Sequence, residues 1–488
     1  YIAAEEKEWQ SWQDTKSVRV VTGKEAADIR RSTDPRRIIR IRFVYRDKNA
    51  SIRTPQCQLP VLAKARLCAQ ASSEPLAQGG HVKLDSPTVQ RLGITIFLQL
   101  TLNFGWNKTV RKGDISAAFL QGQERDTEVK GRLFLEPPKG RNLAGVKSGD
   151  LLEVVRSVYG LPDAPRAWWE EVTGYLKSVG FQHSRIDVAF MILYDDHGSV
   201  CAMLILHVDD IMVATDGSKY AEAVVDKFYK KYPFGEWVYA KDRKEIAYTG
   251  RTIRLVGTEF HITHEDFIKG RIETLDVKRG GDLKRDCNPQ EHAEFRSGVG
   301  NLHWVTSQVR VDHAVDTSRL QKRQNQPKLE DLKDLDKVIK ELKSTASQIV
   351  RIRPIKNPII AAFTDSSLYG AEGELIEDDK DLEGYDKHKI HSQGGSFVVM
   401  MDRNSLDDLG DVPFSVGDWR TKASRRVFHA TFAAEAQAAA ETVGLARYYR
   451  AYMCDILFGH ADWRAIDEYG EDEVPIVLYT DCKGLFDN

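Results

Sequence analysis

Six acids stand where they could do chemistry. Asp209 and Asp210 interrupt an apolar run, LILHVDDIMV at residues 204–213, which reads as a strand, a tight turn and a second strand. Carboxylates placed there are costly to desolvate unless a cation neutralises them, and hard oxygen ligands suit magnesium. An Asp pair also fits an ordinary β-turn. Asp114 follows a basic approach and opens another apolar stretch, in WNKTVRKGDISAAFLQG at residues 106–122. In the last third, Asp365 and Asp481 end apolar strands, and Glu435 lies near the start of an Ala-rich helix at residues 430–452. Acids converging from separate elements build two-metal sites. There, two divalent ions roughly 4 Å apart activate an attacking oxygen and stabilise the leaving one during phosphoryl transfer. For any single Asp a turn or cap is the plainer role. The same arrangement in both parts of the chain, beside basic segments, favours metal sites.

The elements that must position these acids follow from periodicity. Residues 1–15 have helical spacing with two Trp, and residues 36–46 (RRIIRIRFVYR) alternate apolar and basic residues as a strand with an arginine face. Residues 59–70 (LPVLAKARLCAQ) form a second such segment. Arg and Lys on one face of two strands could hold phosphates, although a charge-rich surface is the plainer reading. Residues 87–104 form a core helix entered by Pro87. Pro162 and Pro165 break the chain before a helix running to about residue 179, and residues 219–232 are helical. Tyr248-Thr249-Gly250 turns a short hairpin. From residue 263 to about 342 the pattern is helical, and its last segment, KLEDLKDLDKVIKELKS, carries charge almost all round, as a surface or bridging helix does. From residue 354 the character returns to α/β.

With 488 residues the chain supports several domains, and its 42% hydrophobic content with net charge −2 is that of an ordinary globular protein. Residues 16–71 hold fourteen Lys and Arg against four acids, which suggests a polyanion contact. Residues 372–386 hold eight acids against one Lys and read as a solvated loop. Six cysteines without metal-ligand spacing read as free thiols of a reducing compartment. No apolar run approaches the roughly 20 residues of a membrane span, so no membrane partner is expected. The chain starts at Tyr1 and ends directly after a strand and turn, as expected of a piece of something longer, such as a polyprotein or an open reading frame fragment.

These segments carry a resemblance. AKARLCAQ, GDISAAFLQG, SVYGLPDAPRAWW, HVDD and EFRSGVGNLHWVT resemble, in order and spacing, the motifs of copia-class LTR retrotransposon reverse transcriptases. FTDSS, TFAAEAQAAAE and YTDCKGLFD resemble the attached RNase H domain of the same Pol polyprotein. The resemblance implies an α+β, multidomain chain with the right-hand polymerase architecture followed by an RNase H-like α/β domain. Residues 1–245 would form fingers and palm, 246–325 a thumb-like helical region, 326–356 a helical connector and 357–488 the RNase H-like domain, truncated at its C-terminus. It implies RNA-directed DNA polymerase activity with two magnesium ions per active site, or manganese in their place. Asp114, Asp209 and Asp210 would be the metal-binding catalytic acids of the palm, with Asp210 the weaker ligand. Lys64 and Arg66 would reach the triphosphate, and Phe119 would be the steric gate against ribose. Gly160, Asp163 and Pro165 would line the loop near the incoming base, and Tyr248-Thr249-Gly250 would be the primer-grip turn. Asp365, Glu435 and Asp481 would be three of the four RNase H acids, the fourth lying beyond Asn488. Partners would be RNA template, DNA primer, RNA/DNA hybrid, deoxynucleotides, and the protease and integrase segments of Pol. The setting would be intracellular, in cytoplasmic virus-like particles and in the nucleus.

Two departures bear on activity. His207 stands where the family has Tyr, and Asp163 where it has Gln; a carboxylate there should repel a triphosphate. Pro162 replaces a Lys, and the 70 residues between Asp365 and Glu435 imply an insertion. Two rival readings are a catalytically degenerate or domesticated nucleic-acid-binding relic, and a nuclease-like enzyme using the C-terminal acids alone.

Overall fold

The computed structural model describes residues 1–50, 58–72, 74, 83–242, 245–275, 277, 282–369, 375–376, 391–406, 411–424, 428, 430–459 and 466–487. It is a mixed α/β, multidomain chain, with four sheets among the described residues.

The first sheet has the order Val18–Val21, Leu151–Val154, Phe134–Glu136, Ile38–Asp47, Ala63–Ala69. Ile39 and Ile41 point inward and Arg40 and Arg42 outward, as the two-residue period requires. Trp9 and Trp12 of the helix Ile2–Asp14 join Leu67, Ile39 and Leu152 in one core. The basic segment at residues 59–70 is a strand only over Ala63–Ala69.

The second sheet runs Val238–Tyr239, Arg111–Asp114, Asp210–Thr215, Val200–His207, Phe190–Tyr194, Gln182–His183. Leu204 to Leu206 and Ile211 to Ala214 are all buried, because helices Arg91–Asn103, Ala164–Ser178 and Lys219–Lys231 supply covering residues. A strand covered in this way reads as a continuous apolar run. The helix expected to enter at Pro87 begins instead at Arg91 after Gln90, and Pro87 lies outside it.

A third sheet joins Ile246–Tyr248, Arg251–Val256 and Glu259–Thr263 to Val350–Ile352. Beside it lies a helical core. The helix Leu329–Ser344 is not the surface helix its charge suggested. Leu332, Leu335, Ile339 and Leu342 form one apolar stripe that packs with Phe295, Val299 and Leu302 of the helix Pro289–Gln308. The expected boundary between residues 325 and 326 therefore cuts through one core, and the strand Val350–Ile352 ties the expected connector to the same unit.

The C-terminal sheet has Leu375–Ile376, Pro358–Tyr369, His391–Asp402 and Phe414–Ala423 in order, with Ile476–Tyr479 parallel to Pro358–Tyr369. Its long helix, Thr431–Phe458, buries Leu445, Tyr449, Tyr452 and Met453 in the same core as Phe97 and Phe190 of the central unit. The rings of Phe190 and Tyr452 meet edge to face at 5.7 Å. The Arg185 N–H donates to Asp455 at 2.8 Å, and the Trp419 indole donates to the Thr306 carbonyl at 2.9 Å. Asp365 does not end its strand, which continues to Tyr369 by pairing with His391–Asp402. Apart from Leu375–Ile376, the acidic segment 372–386 lies outside the described residues, as does Cys57; the other five cysteines are free thiols. Among the described residues, no helix is long and apolar enough to cross a membrane.

Candidate active site and a second acid cluster

The hairpin Val200–His207/Asp210–Thr215 turns on Val208 and Asp209, with His207 opposite Asp210. Val208 has φ +61°, a conformation that hairpin turns normally give to Gly, at a cost of about 1–3 kcal/mol. Two contacts hold it. The buried Trp168 donates its indole N–H to the Val208 carbonyl at 2.8 Å, and the Ile115 N–H donates to the Asp209 carbonyl at 2.9 Å. The strand Arg111–Asp114 pairs on the hairpin's other side with Asp114 directly opposite Asp210. Three acids thus meet at the ends of adjacent strands.

Their charges are met unequally. The Lys112 ammonium lies 2.6 Å from an Asp210 carboxylate oxygen. Asp114 is exposed on one side but backed by protein. That desolvation, and then Asp209 and Asp210, lift its carboxyl above the usual range against Lys112 and Lys64. Lys64, on the first sheet, is held below the usual lysine range by burial and by Arg66 and Lys48, and is drawn the other way by Asp114 and Asp209. His207 is half-buried, and its Nδ1 has no hydrogen-bond partner among the described residues. Desolvation favours the neutral ring, against the pull of Asp210 and Asp209.

Tyr159 organises a seam beside this cluster. The Arg66 guanidinium lies 5.0 Å from its ring centroid, and the Phe119 ring lies 5.5 Å away. The Ala69 N–H donates to the Tyr159 carbonyl at 2.7 Å. The next residue, Gly160, has φ +90°, and a Cβ there would sit 2.1 Å from the Ala69 oxygen, so only Gly fits. Phe119 rides on a short 3-10 helix, Ala118–Gln121, entered through Ala117 at φ +55°.

The second cluster lies in the C-terminal unit. Parallel pairing of Phe363 with Tyr479 brings Asp365 and Asp481 side by side, and Glu435 approaches from the first turns of Thr431–Phe458. Ligand oxygens of the three acids all lie within 4.8 Å of one another. Glu435 Oε1 accepts from the Ser366 N–H and hydroxyl, each at 3.0 Å, while its buried Oε2 has no hydrogen-bond partner among the described residues. Burial raises the Glu435 carboxyl, Ser366 lowers it, and Asp365 and Asp481 raise it further. An orphaned buried oxygen among three carboxylates fits a hard divalent cation. Among the described residues no other three His, Cys, Asp or Glu converge this closely, so Asp114, Asp209 and Asp210 do not. Lys112 takes up Asp210 instead.

The family model described as reverse transcriptase (RNA-dependent DNA polymerase) matches residues 26–277, just over half of the chain. The chain belongs to the reverse transcriptase family. Asp114, Asp209 and Asp210 lie inside the matched reverse transcriptase region, and the Asp365 cluster lies outside it. The chain is 22% identical over 326 residues to the retrovirus-related Pol polyproteins from transposons RE1 and RE2 of Arabidopsis thaliana, covering 64% of this chain and 21% of each relative. It is 22% identical over 275 residues to the transposon Ty1-BL Gag-Pol polyprotein of Saccharomyces cerevisiae, covering 56% and 14%. The chain thus spans about a fifth or less of these polyproteins. A solved foamy viral protease-reverse transcriptase in complex with double-stranded DNA is similar over 97% of this chain and 68% of that one, with TM-score 0.48 and 12% identity.

Inside the matched region, Asp163 departs from expectation. It is buried, and its carboxylate is met by Lys130 at 2.9 Å and Arg125 at 3.8 Å. Its charge is neutralised inside the protein, so it is not left free to repel a phosphate. Pro165 sits within the first turn of Ala164–Ser178, where a missing N–H costs nothing, instead of breaking the chain ahead of the helix. Tyr248-Thr249-Gly250 does turn a hairpin, with Thr249 at φ +50° and Gly250 at φ +79° lying against Trp304. Lys112 and Tyr159 were missed. Lys112 lies two residues before Asp114, hence on the same strand face, and that spacing was the available signal.

Proposed function

We propose that this chain is the RNA-directed DNA polymerase of a retrotransposon Pol polyprotein, with an RNase H-like unit at its C-terminal end. The observation that carries this reading is the pairing of Asp210 with Asp114 inside the matched region, which places Asp114 beside the turn that holds Asp209. The second sheet is then the palm, the first the fingers and the helical core the thumb.

Asp114 and Asp209 supply hard, anionic oxygens, the donor set that magnesium or manganese takes. Divalent ions held there would activate a primer 3′-hydroxyl and neutralise charge at the α-phosphate. The new bond joins the primer oxygen to the α-phosphorus as the bond to the departing pyrophosphate breaks. Lys64 and Arg66 bind the triphosphate, Lys64 as a point charge and Arg66 as a fork kept in place over Tyr159. Phe119 presents its ring where a ribose 2′-hydroxyl would lie. Because Asp163 is paired internally, the relic reading loses its chief support. In the C-terminal unit Asp365, Glu435 and Asp481 would hold magnesium for cleavage of RNA in a hybrid.

Extension of a DNA primer on an RNA template, with deoxynucleotides and Mg²⁺ or Mn²⁺, tests the polymerase reading. The parent chain should extend the primer and Asp114→Asn should not. Tight hybrid binding without extension by the parent would contradict it. Mn²⁺-dependent cleavage of hybrid RNA, lost in Glu435→Gln, tests the second part.

A further inference from the structure

The two acid clusters differ in one respect that the shared metal chemistry does not explain. The C-terminal acids converge within 4.8 Å, whereas Asp210 is drawn to Lys112 at 2.6 Å. The lysine is not a chance surface partner. Its side chain is 18% exposed and that of Asp210 28%. Lys112 is fixed in register, opposite Met212 on one side and Val238 on the other. Its neighbours lock the strand. The Arg111 guanidinium pairs with Glu222 at 2.8 Å, and Gly113 lies so close to Phe234 and Trp237 that a Cβ would clash with both. Lys112 and Asp114 share one strand face, and Asp210 lies across from Asp114. The ammonium is thus placed diagonally across the strand pair, where it reaches the Asp210 carboxylate.

We infer that Lys112 is a positioning residue that serves as a built-in counter-charge for Asp210, leaving Asp114 and Asp209 as the pair that holds the divalent metal. This rests on the polymerase reading and adds to it. Three carboxylates around a metal bind more tightly than two, because affinity follows the charge and number of ligands. By holding Asp210 away, Lys112 keeps metal affinity moderate and leaves coordination positions for substrate oxygens. Asp210 then acts through its salt bridge, and its carboxylate is not a ligand while Lys112 is present.

The test is a double-mutant cycle read by Mn²⁺ binding, using electron paramagnetic resonance of the free ion. It uses the full chain carrying Asp365→Asn and Asp481→Asn, so that only the central acids report. Lys112→Met should tighten Mn²⁺ about tenfold by releasing a third carboxylate, and Lys112→Arg should keep the parent affinity. Lys112→Met with Asp210→Asn should return to within about twofold of the parent, because a neutral pair replaces a neutralised one. If Lys112→Met were without effect and the double variant bound about tenfold more weakly than the parent, Asp210 would be an ordinary ligand and the inference wrong. Asp209→Asn separates this from failure of the polymerase reading. It should weaken binding whatever Lys112 does, and its having no effect would overturn both.

Discussion

The Lys130 ammonium donates to the Asp163 carboxylate at 2.9 Å, with the Arg125 guanidinium 3.8 Å away on another side. Arg125 is nearly enclosed and also lies 3.5 Å from Glu74. Removing one partner of such a group leaves a desolvated charge behind. Asp163→Gln, which exchanges the carboxylate for an amide, should therefore cost about 2–4 kcal/mol of stability, reduced where Lys130 meets water. Denaturant unfolding of parent and variant measures this. An unchanged midpoint together with faster nucleotide incorporation would show that Asp163 does face the substrate.

Gly160 closes the seam between the first sheet and the loop before Ala164–Ser178. Gly160→Ala must displace the Ala69 oxygen and hold φ +90° with a side chain. The backbone term alone is about 1–3 kcal/mol, and the clash adds to it. A drop in melting temperature is expected, and so is weaker nucleotide binding, since Arg66 is carried by the same seam. A variant as stable as the parent would mean that the loop relaxes freely.

Phe119 packs beside Tyr159 and is partly exposed. Phe119→Ala should open space for a 2′-hydroxyl and raise ribonucleotide incorporation relative to deoxynucleotide by about tenfold or more. The ratio of the two kcat/KM values checks this. A lower rate with an unchanged ratio would make Phe119 a packing residue.

Asp114 and Glu435 both hold their protons more firmly folded than unfolded, first because of burial. The sign follows. Each contributes stability below its unfolded value, 3.8 for Asp114 and 4.5 for Glu435, and that contribution is lost as pH rises through the raised folded value. Asp114→Asn and Glu435→Gln should therefore gain stability on the parent as pH rises above the unfolded values, in the absence of divalent metal. Equal pH slopes for parent and variants would contradict the assignment of these shifts. Metal affinity should fall with acidification in the same range, because protonation removes ligands.

The hairpin was legible because both its faces are buried, which writes an unbroken apolar run on either side of the acids. The helix Leu329–Ser344 was misread because its charge was weighed as a total. Leucines at 332, 335 and 342 with Ile339 already trace a stripe, which the core then uses. Convergence of Asp365, Glu435 and Asp481 could be proposed from motif order, but it is made by the parallel pairing of Phe363 with Tyr479, a long-range register that no local pattern encodes. The Lys112–Asp210 pair was hidden for the same reason. It exists only because Asp210 lies opposite Asp114 and not one residue to either side. The paired state of Asp163 was out of reach too, since Lys130 lies 33 residues away on a separate helix.

The central claim is that Asp114 and Asp209 form the centre of a working polymerase. Single-turnover addition of one deoxynucleotide to a DNA primer on an RNA template, at saturating Mg²⁺, tests it most directly. The parent chain should add the nucleotide, and Asp209→Asn should bind the same hybrid while losing about a thousandfold or more in rate. Equal rates for the two proteins, or no addition by the parent despite full occupancy of the hybrid, would contradict it.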